Sequence, residues 1–379
     1  MGEDGKHISA VIFDLDGTLV DTQRCVPIVL KEFLAKHGKV MDPEKEIKRV
    51  GQVHKVSAAG IVADYDLPLT SQEYSDVIFK MYKKRWSDVK SLPGANRLIR
   101  HLHRHGIPFA IASNSLKNNI LSKISYQPDW KELFRVIVGV DEVKEGKPSP
   151  DMFLLAAKRL GVDASHCLVI EDSMVGVKAS KSAKIKVVAV PSVITQIDEY
   201  SIADSVIHSL LEFQPQLWGL PSFEDGDEDF IEIQPFSIKG KISKNSSHMN
   251  NTTLTISLES DLSIEESLPD QAFGVYFGWA NYENFGTVKV VLSIGWKDLT
   301  ILPTNPKREI KTSLIGEDHQ HYIHVDKMDV LAVGFINNLY PMRVEGAVDI
   351  SEADKIIANK ALDLPKFQFH SSSTSLLFK

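Results

Sequence analysis

Two aspartates stand two residues apart in "FDLDGTLVDT", Asp14 and Asp16, at the end of the apolar run "ISAVIFDL" (residues 8–15). On a strand that spacing points both carboxylates the same way. Three further polar groups follow later in the chain: Ser113 and Asn114 after "IPFAIA", Lys147 in "EGKPSPD", and Glu171 and Asp172 after "CLVI". A phosphate dianion facing four carboxylates would be repelled unless cations neutralise them. Hard oxygen ligands from Asp14, Glu171, Asp172 and a backbone carbonyl suit magnesium. Lys147, the Ser113 hydroxyl and the backbone N–H groups after Asp16 are suited to phosphoryl oxygens.

Such a site needs strands that end together. "ISAVIFDL", "IPFAIASNS" (107–115), "FRVIVG" (134–139), "CLVIEDS" (167–173), "KVVAVPS" (186–192) and "DSVIHSL" (204–210) read as buried strands, separated by helical patterns such as "SPDMFLLAAKRLG". Alternation of this kind gives right-handed βαβ units and a doubly wound parallel sheet, α/β in class. Ligands in such sheets sit beyond the carboxyl ends of the strands, where all four polar groups fall. Residues 22–90 read as helical and are inserted after the first acidic pair.

"QPQLWGLPSFEDGDED" breaks the alternation with Pro, Gly and acid, which places a linker at 214–227. Residues 228–365 then read mostly as strands, closing on the amphipathic helix "SEADKIIANKALDL" (351–364) before Pro365; 366–379 reads as a loose tail. Two domains are the expectation for 379 residues. A net charge of −7 argues against non-specific binding to nucleic acid or anionic membranes. Two cysteines, Cys25 and Cys167, are too few for a disulfide framework, and no apolar run approaches a membrane span; a cytoplasmic protein is expected. His101, His103 and His105 in "HLHRHG" are read as closing a helix rather than binding metal.

The four motifs, in order over residues 8 to about 213, resemble the haloacid dehalogenase-like (HAD) superfamily of phosphatases. The resemblance implies that Asp14 attacks phosphorus and that Asp16 is the acid and then the base. It implies phosphate binding by Gly17, Thr18, Ser113, Asn114 and Lys147. Magnesium would be held by Asp14, the Asp16 carbonyl, Asp172 and Glu171. Residues 22–90 resemble the family's helical cap; Gln52 follows the cap glycine where relatives often carry a cation, with His54 and Lys55 nearby.

In the second half, "IKGK", "FGVYFGWA", "LSIGW", "VGFI" and "KALDLP" resemble the riboflavin kinase barrel. That family has a glycine-rich loop after Lys-Gly and a Pro-Thr-Ala-Asn segment. Here Lys239-Gly240 opens the segment, no glycine follows until Gly274, and Lys311 falls where the family has its glutamate base. A protonated lysine has no acceptor to offer. The barrel is therefore expected to be catalytically degenerate, a stabilising or dimerising appendage or a flavin-binding one. The order of halves resembles bifunctional plant proteins that join an FMN phosphatase to a riboflavin kinase. It implies a phosphomonoester substrate, FMN first. The alternatives are a sugar, polyol or nucleoside monophosphate, or a non-catalytic flavin-responsive scaffold.

Overall fold

The structure, a computed structural model, describes residues 7–22, 25–47, 49, 54–191, 199–225, 229–242, 248–250, 253–259, 268, 271–282, 286–297, 307–316, 327–336 and 347–367. It divides into two compact units, 1–210 with 214–222, and 211–213 with 223–379.

In the first unit six strands form one parallel sheet: β1 (Ala10–Phe13), β2 (Phe109–Ser113), β3 (Val136–Gly139), β4 (Cys167–Glu171), β5 (Lys186–Ala189) and β6 (Ser205–Val206), in the order β3-β2-β1-β4-β5-β6. Every residue of β1, β2 and β4 is buried, as continuous apolar runs covered on both faces must be. The chain moves from β1 outward to β2 and β3, then back past β1 to β4. This reversal puts the ends of β1 and β4 at the topological switch point, where a ligand crevice forms. The predicted strands are trimmed at their ends, most of all the last one, of which only Ser205–Val206 pairs.

Helices of eight or more residues are numbered α1 (Cys25–Lys36), α2 (His54–Asp64), α3 (Ser71–Arg85), α4 (Ala95–Arg104), α5 (Lys117–Ile124), α6 (Asp151–Leu160), α7 (Met174–Ser182) and α8 (Glu352–Leu362). The first three make the cap, with Val29, Phe33, Leu34, Ala58, Ile61, Tyr74 and Ile78 in its own small core. Thr70 starts α3 with a reciprocal capping box to Glu73. Where the chain leaves and re-enters the sheet domain, the two crossings are tied together. Asp21 N–H donates to Lys90 O at 3.0 Å and Leu92 N–H to Leu19 O at 2.9 Å. At the end of α4, His101 is buried with Nε2 2.9 Å from Pro221 O, so this histidine packs the segment read as a linker onto the first unit.

In the second unit β7 (Phe230–Ile242), β8 (His248–Asn250), β9 (Thr253–Glu259), β10 (Gly274–Tyr282), β11 (Gly286–Lys297), β12 (Lys307–Ile315) and β13 (Lys327–Ile336) are antiparallel, ordered β12-β11-β10-β13-β7-β9-β8. A further pairing of β12 with β9 closes six of them into a barrel. Alternate residues face inward, among them Tyr276, Ala280, Leu292, Ile294, Ile310 and Val330. The other face of β10 carries Val275 and Phe277 under α8. Two motif glycines explain themselves: a Cβ on Gly278 would meet Leu331 O at 1.9 Å, and one on Gly334 the Phe277 ring at 2.0 Å. Ser351 caps α8 with a capping box to Asp354. Folded structure runs past Pro365: Phe367 is buried and its carbonyl accepts from Trp279 Nε1 at 3.0 Å, so residues 366 and 367, read as part of a loose tail, belong to the fold. Among the described residues no helix is long and apolar enough to cross a membrane.

Candidate active site

The end of β1 carries Asp14, and the end of β4 carries Glu171 and Asp172; all three are buried. One carboxylate oxygen from each lies within 4.8 Å of the others. Between them stands Lys147, itself buried, whose Nζ donates to Asp14 Oδ1 at 2.6 Å and Glu171 Oε2 at 2.8 Å. Three buried carboxylates stand here with one ammonium, which bridges two of them, so negative charge is in excess in a buried place. A divalent cation is what this donor set fits, since hard oxygens at this spacing match magnesium and the charge then balances.

Electrostatics make the same point. Burial, and then the neighbouring Glu171, push the Asp14 carboxyl up to about 7, against the pull of Lys147. Lys147 is driven the other way: burial would lower it, but Asp14 and Glu171 hold it well above the ordinary lysine value.

Asp16 is treated differently. Burial would raise its carboxyl, yet the Lys123 ammonium and hydrogen bonds from Lys123, Ser115 and Thr22 hold it below the usual range. Two neighbouring carboxyls are thus pushed apart, one toward neutrality and one toward the anion.

Glu171 is fixed from behind by Ser173, which caps α7 and donates from both N–H (3.1 Å) and Oγ (2.5 Å) to Glu171 Oε1. Gly176 in the first turn of α7 leaves the room: a Cβ there would sit 2.0 Å from the Glu171 carboxyl carbon. Thr18 Oγ1 donates to Asp172 Oδ1 at 3.1 Å, and Tyr200 OH donates to Asp172 O at 2.6 Å.

Of the residues singled out by sequence, Asp14, Lys147, Glu171 and Asp172 meet in one cluster, and Ser113 reaches Asp16 Oδ2 at 3.4 Å. Three take other partners than phosphate. Gly17, at φ +88°, makes the left-handed turn after Asp16, and its N–H donates to Val20 O at 2.9 Å. The Thr18 hydroxyl serves Asp172. Asn114 pairs with the main chain of Lys147, accepting from its N–H at 2.9 Å, and so positions the lysine. His54 Nε2 lies 2.9 Å from Ser75 Oγ within the cap, Lys55 is exposed, and Gln52 lies outside the described residues. In the barrel Lys239 is exposed opposite Asp329, and Gly240 pairs with Met328. Lys311 Nζ donates to Ala347 O at 3.0 Å and Asp349 Oδ1 at 3.1 Å. Glu309, one strand repeat before it, accepts from Ala347 N–H at 2.7 Å and is a carboxylate that sequence reading passed over.

Sequence reading also missed Lys123 and Ser115, which surround Asp16. A signal existed for the first: Lys123 shares the buried face of α5 with Ile120 and Ile124, an unusual place for an ammonium.

A family model for haloacid dehalogenase-like hydrolases matches residues 11–190. A bifunctional riboflavin kinase/FMN phosphatase of Arabidopsis thaliana is 42% identical over 96% of this chain and 95% of its own length. The chain belongs to the haloacid dehalogenase-like hydrolases. A probable pseudouridine-5'-phosphatase of Drosophila melanogaster is 36% identical over 58% of this chain and 97% of its own. Among solved structures, a HAD hydrolase of family IA, variant 3, from Entamoeba histolytica superposes with a TM-score of 0.50 at 26% identity, covering 56% of this chain and 98% of that one. The HAD-like half is thus a phosphatase-type hydrolase domain, and the barrel belongs to the half shared with the bifunctional relative.

Proposed function

We propose that this chain is a magnesium-dependent phosphomonoesterase that works through an aspartyl phosphate and releases riboflavin from FMN. The carrying observation is the Asp14–Lys147–Glu171–Asp172 cluster beside a separately held Asp16. Asp14 attacks phosphorus with a carboxylate oxygen, and the P–O bond to the leaving group breaks. Asp16 gives its proton to the leaving oxygen, then takes one from the water that cleaves the aspartyl phosphate. Lys147 offsets negative charge on Asp14 and on the phosphoryl oxygens, and the Ser113 hydroxyl adds a donor. Magnesium, held by Asp14, Asp172, the Asp16 carbonyl and Glu171 alongside, would offset the charge of the phosphoryl group. Asn114 and Ser173 keep Lys147 and Glu171 in place. The cap excludes water when closed.

FMN is favoured because the likeness to the FMN phosphatase/riboflavin kinase runs through both units. Another small phosphomonoester is the second reading, since the pseudouridine-5'-phosphatase and a (DL)-glycerol-3-phosphatase of Arabidopsis thaliana, 37% identical, match the first half. The barrel is proposed to be inactive as a kinase, on the absence of glycine between Gly240 and Gly274 and on Lys311. A panel of phosphomonoesters with purified protein and magnesium separates these readings: FMN should give the highest kcat/KM. A higher value for sugar, polyol or nucleoside phosphates would move the assignment to the second reading.

A further inference from the structure

Lys123 approaches both oxygens of Asp16, Oδ1 at 2.6 Å and Oδ2 at 2.8 Å, and also donates to Ser115 Oγ at 3.0 Å. The Ser115 hydroxyl in turn donates a hydrogen bond to Asp16 Oδ2 at 2.8 Å. Thr22 Oγ1 donates to Oδ1 at 2.9 Å, and Ser113 Oγ to Oδ2 at 3.4 Å. Lys123 is 6% exposed and its ammonium lies 5.3 Å from the Trp86 ring centre. Thr22 and Trp86 flank the paired crossings into the cap, Asp21–Lys90 and Leu19–Leu92. Three residues past the end of α5, Gln127 Nε2 donates to Val89 O at 2.8 Å, so the region just after α5 is docked on the second crossing.

A buried lysine is costly, and a half-open carboxylate could be solvated by water without one. What water cannot do is fix the carboxyl's direction. Four donors converging on two oxygens leave Asp16 one orientation. We propose that Lys123 is a positioning residue for Asp16: it aims the carboxyl at the leaving oxygen and ties that geometry to the second cap crossing through Trp86. In the step concerned the proton moves from Asp16 to the leaving-group oxygen as the P–O bond breaks. This inference rests on Asp16 being the acid–base group.

The test compares kcat/KM, which reports transfer up to the aspartyl phosphate, for two leaving groups. FMN leaves as a primary alcohol and needs the proton; p-nitrophenyl phosphate leaves as a stable phenolate and does not. Lys123→Met should lower the FMN to p-nitrophenyl phosphate ratio of kcat/KM by about tenfold or more, a part of the 10²–10⁴ typical of proton transfer. Asp16→Asn should lower the ratio further, and Lys123→Arg should restore part of it. Should Lys123→Met fail to fold by thermal melt, Lys123→Gln carries the same comparison. If Asp16→Asn shifts the ratio and the Lys123 variants slow both substrates alike, or neither, the positioning role is overturned. If Asp16→Asn leaves the ratio unmoved, the acid–base assignment itself fails, and the inference with it.

Discussion

At the residue scale the site is a set of charges that would not coexist without one another. Asp14 carries the clearest consequence. Its carboxyl titrates near 7 in the fold, raised by burial and Glu171, against an ordinary value of 3.8. A raised acid costs the folded state once the unfolded chain has ionised, so the cost begins as pH climbs past about 4 and is complete above about 7. Asp14→Asn should therefore raise the melting temperature of the metal-free protein more at about pH 8 than at about pH 4.5, while abolishing turnover. An equal or smaller gain at the higher pH would mean Asp14 is not the strained group. Lys147→Met should cost about 10²–10³ in kcat, roughly 2.7–4 kcal/mol, because it removes one well-placed electrostatic group. Steady-state rates on the same substrate panel check this, and a loss below tenfold would count against it. Asp14, Lys147, Glu171 and Asp172 were legible in sequence because each lies in a short motif at or near a strand end. Lys123 was not, since it sits inside α5 and not in a short motif at a strand end.

At the element scale the parallel sheet was readable because β1, β2 and β4 are unbroken apolar runs, buried throughout. The last strand was over-read: of "DSVIHSL" only Ser205–Val206 form strand on the sheet edge, with the flanking Asp204 and Ile207 N–H groups also donating to β5. The segment read as a linker contributes structure instead, because Pro221 gives the buried His101 a hydrogen-bond partner. Helix α7 supplies a test of how elements set the site. Its Gly176 backs the Glu171 carboxylate, which Ser173 and Lys147 already hold, so an added methyl has no easy way to be accommodated. Gly176→Ala should weaken magnesium activation severalfold without unfolding the domain. A titration of activity against magnesium, paired with a melting curve, reads both; unchanged magnesium dependence would show that Glu171 has room to move.

At the scale of the whole molecule two units with two histories share one chain. The strands of the second unit were legible in residues 228–365, and the barrel through the resemblance of motifs whose glycines, Gly278 and Gly334, the structure explains. Its chemistry was less so, because Glu309 stands one strand repeat from Lys311 and both reach Ala347. In the Asp14→Asn background, where product would persist, riboflavin with ATP and magnesium should give no FMN above background. ATP-dependent FMN formation would return the barrel to the working kinases. The central claim, however, belongs to the first unit, and one measurement tests it most directly. Rapid acid quench of the protein turning over FMN with magnesium, followed by peptide mapping, should find phosphate on Asp14. Phosphate on Asp16, or no phosphoenzyme under conditions where riboflavin is released, would contradict it.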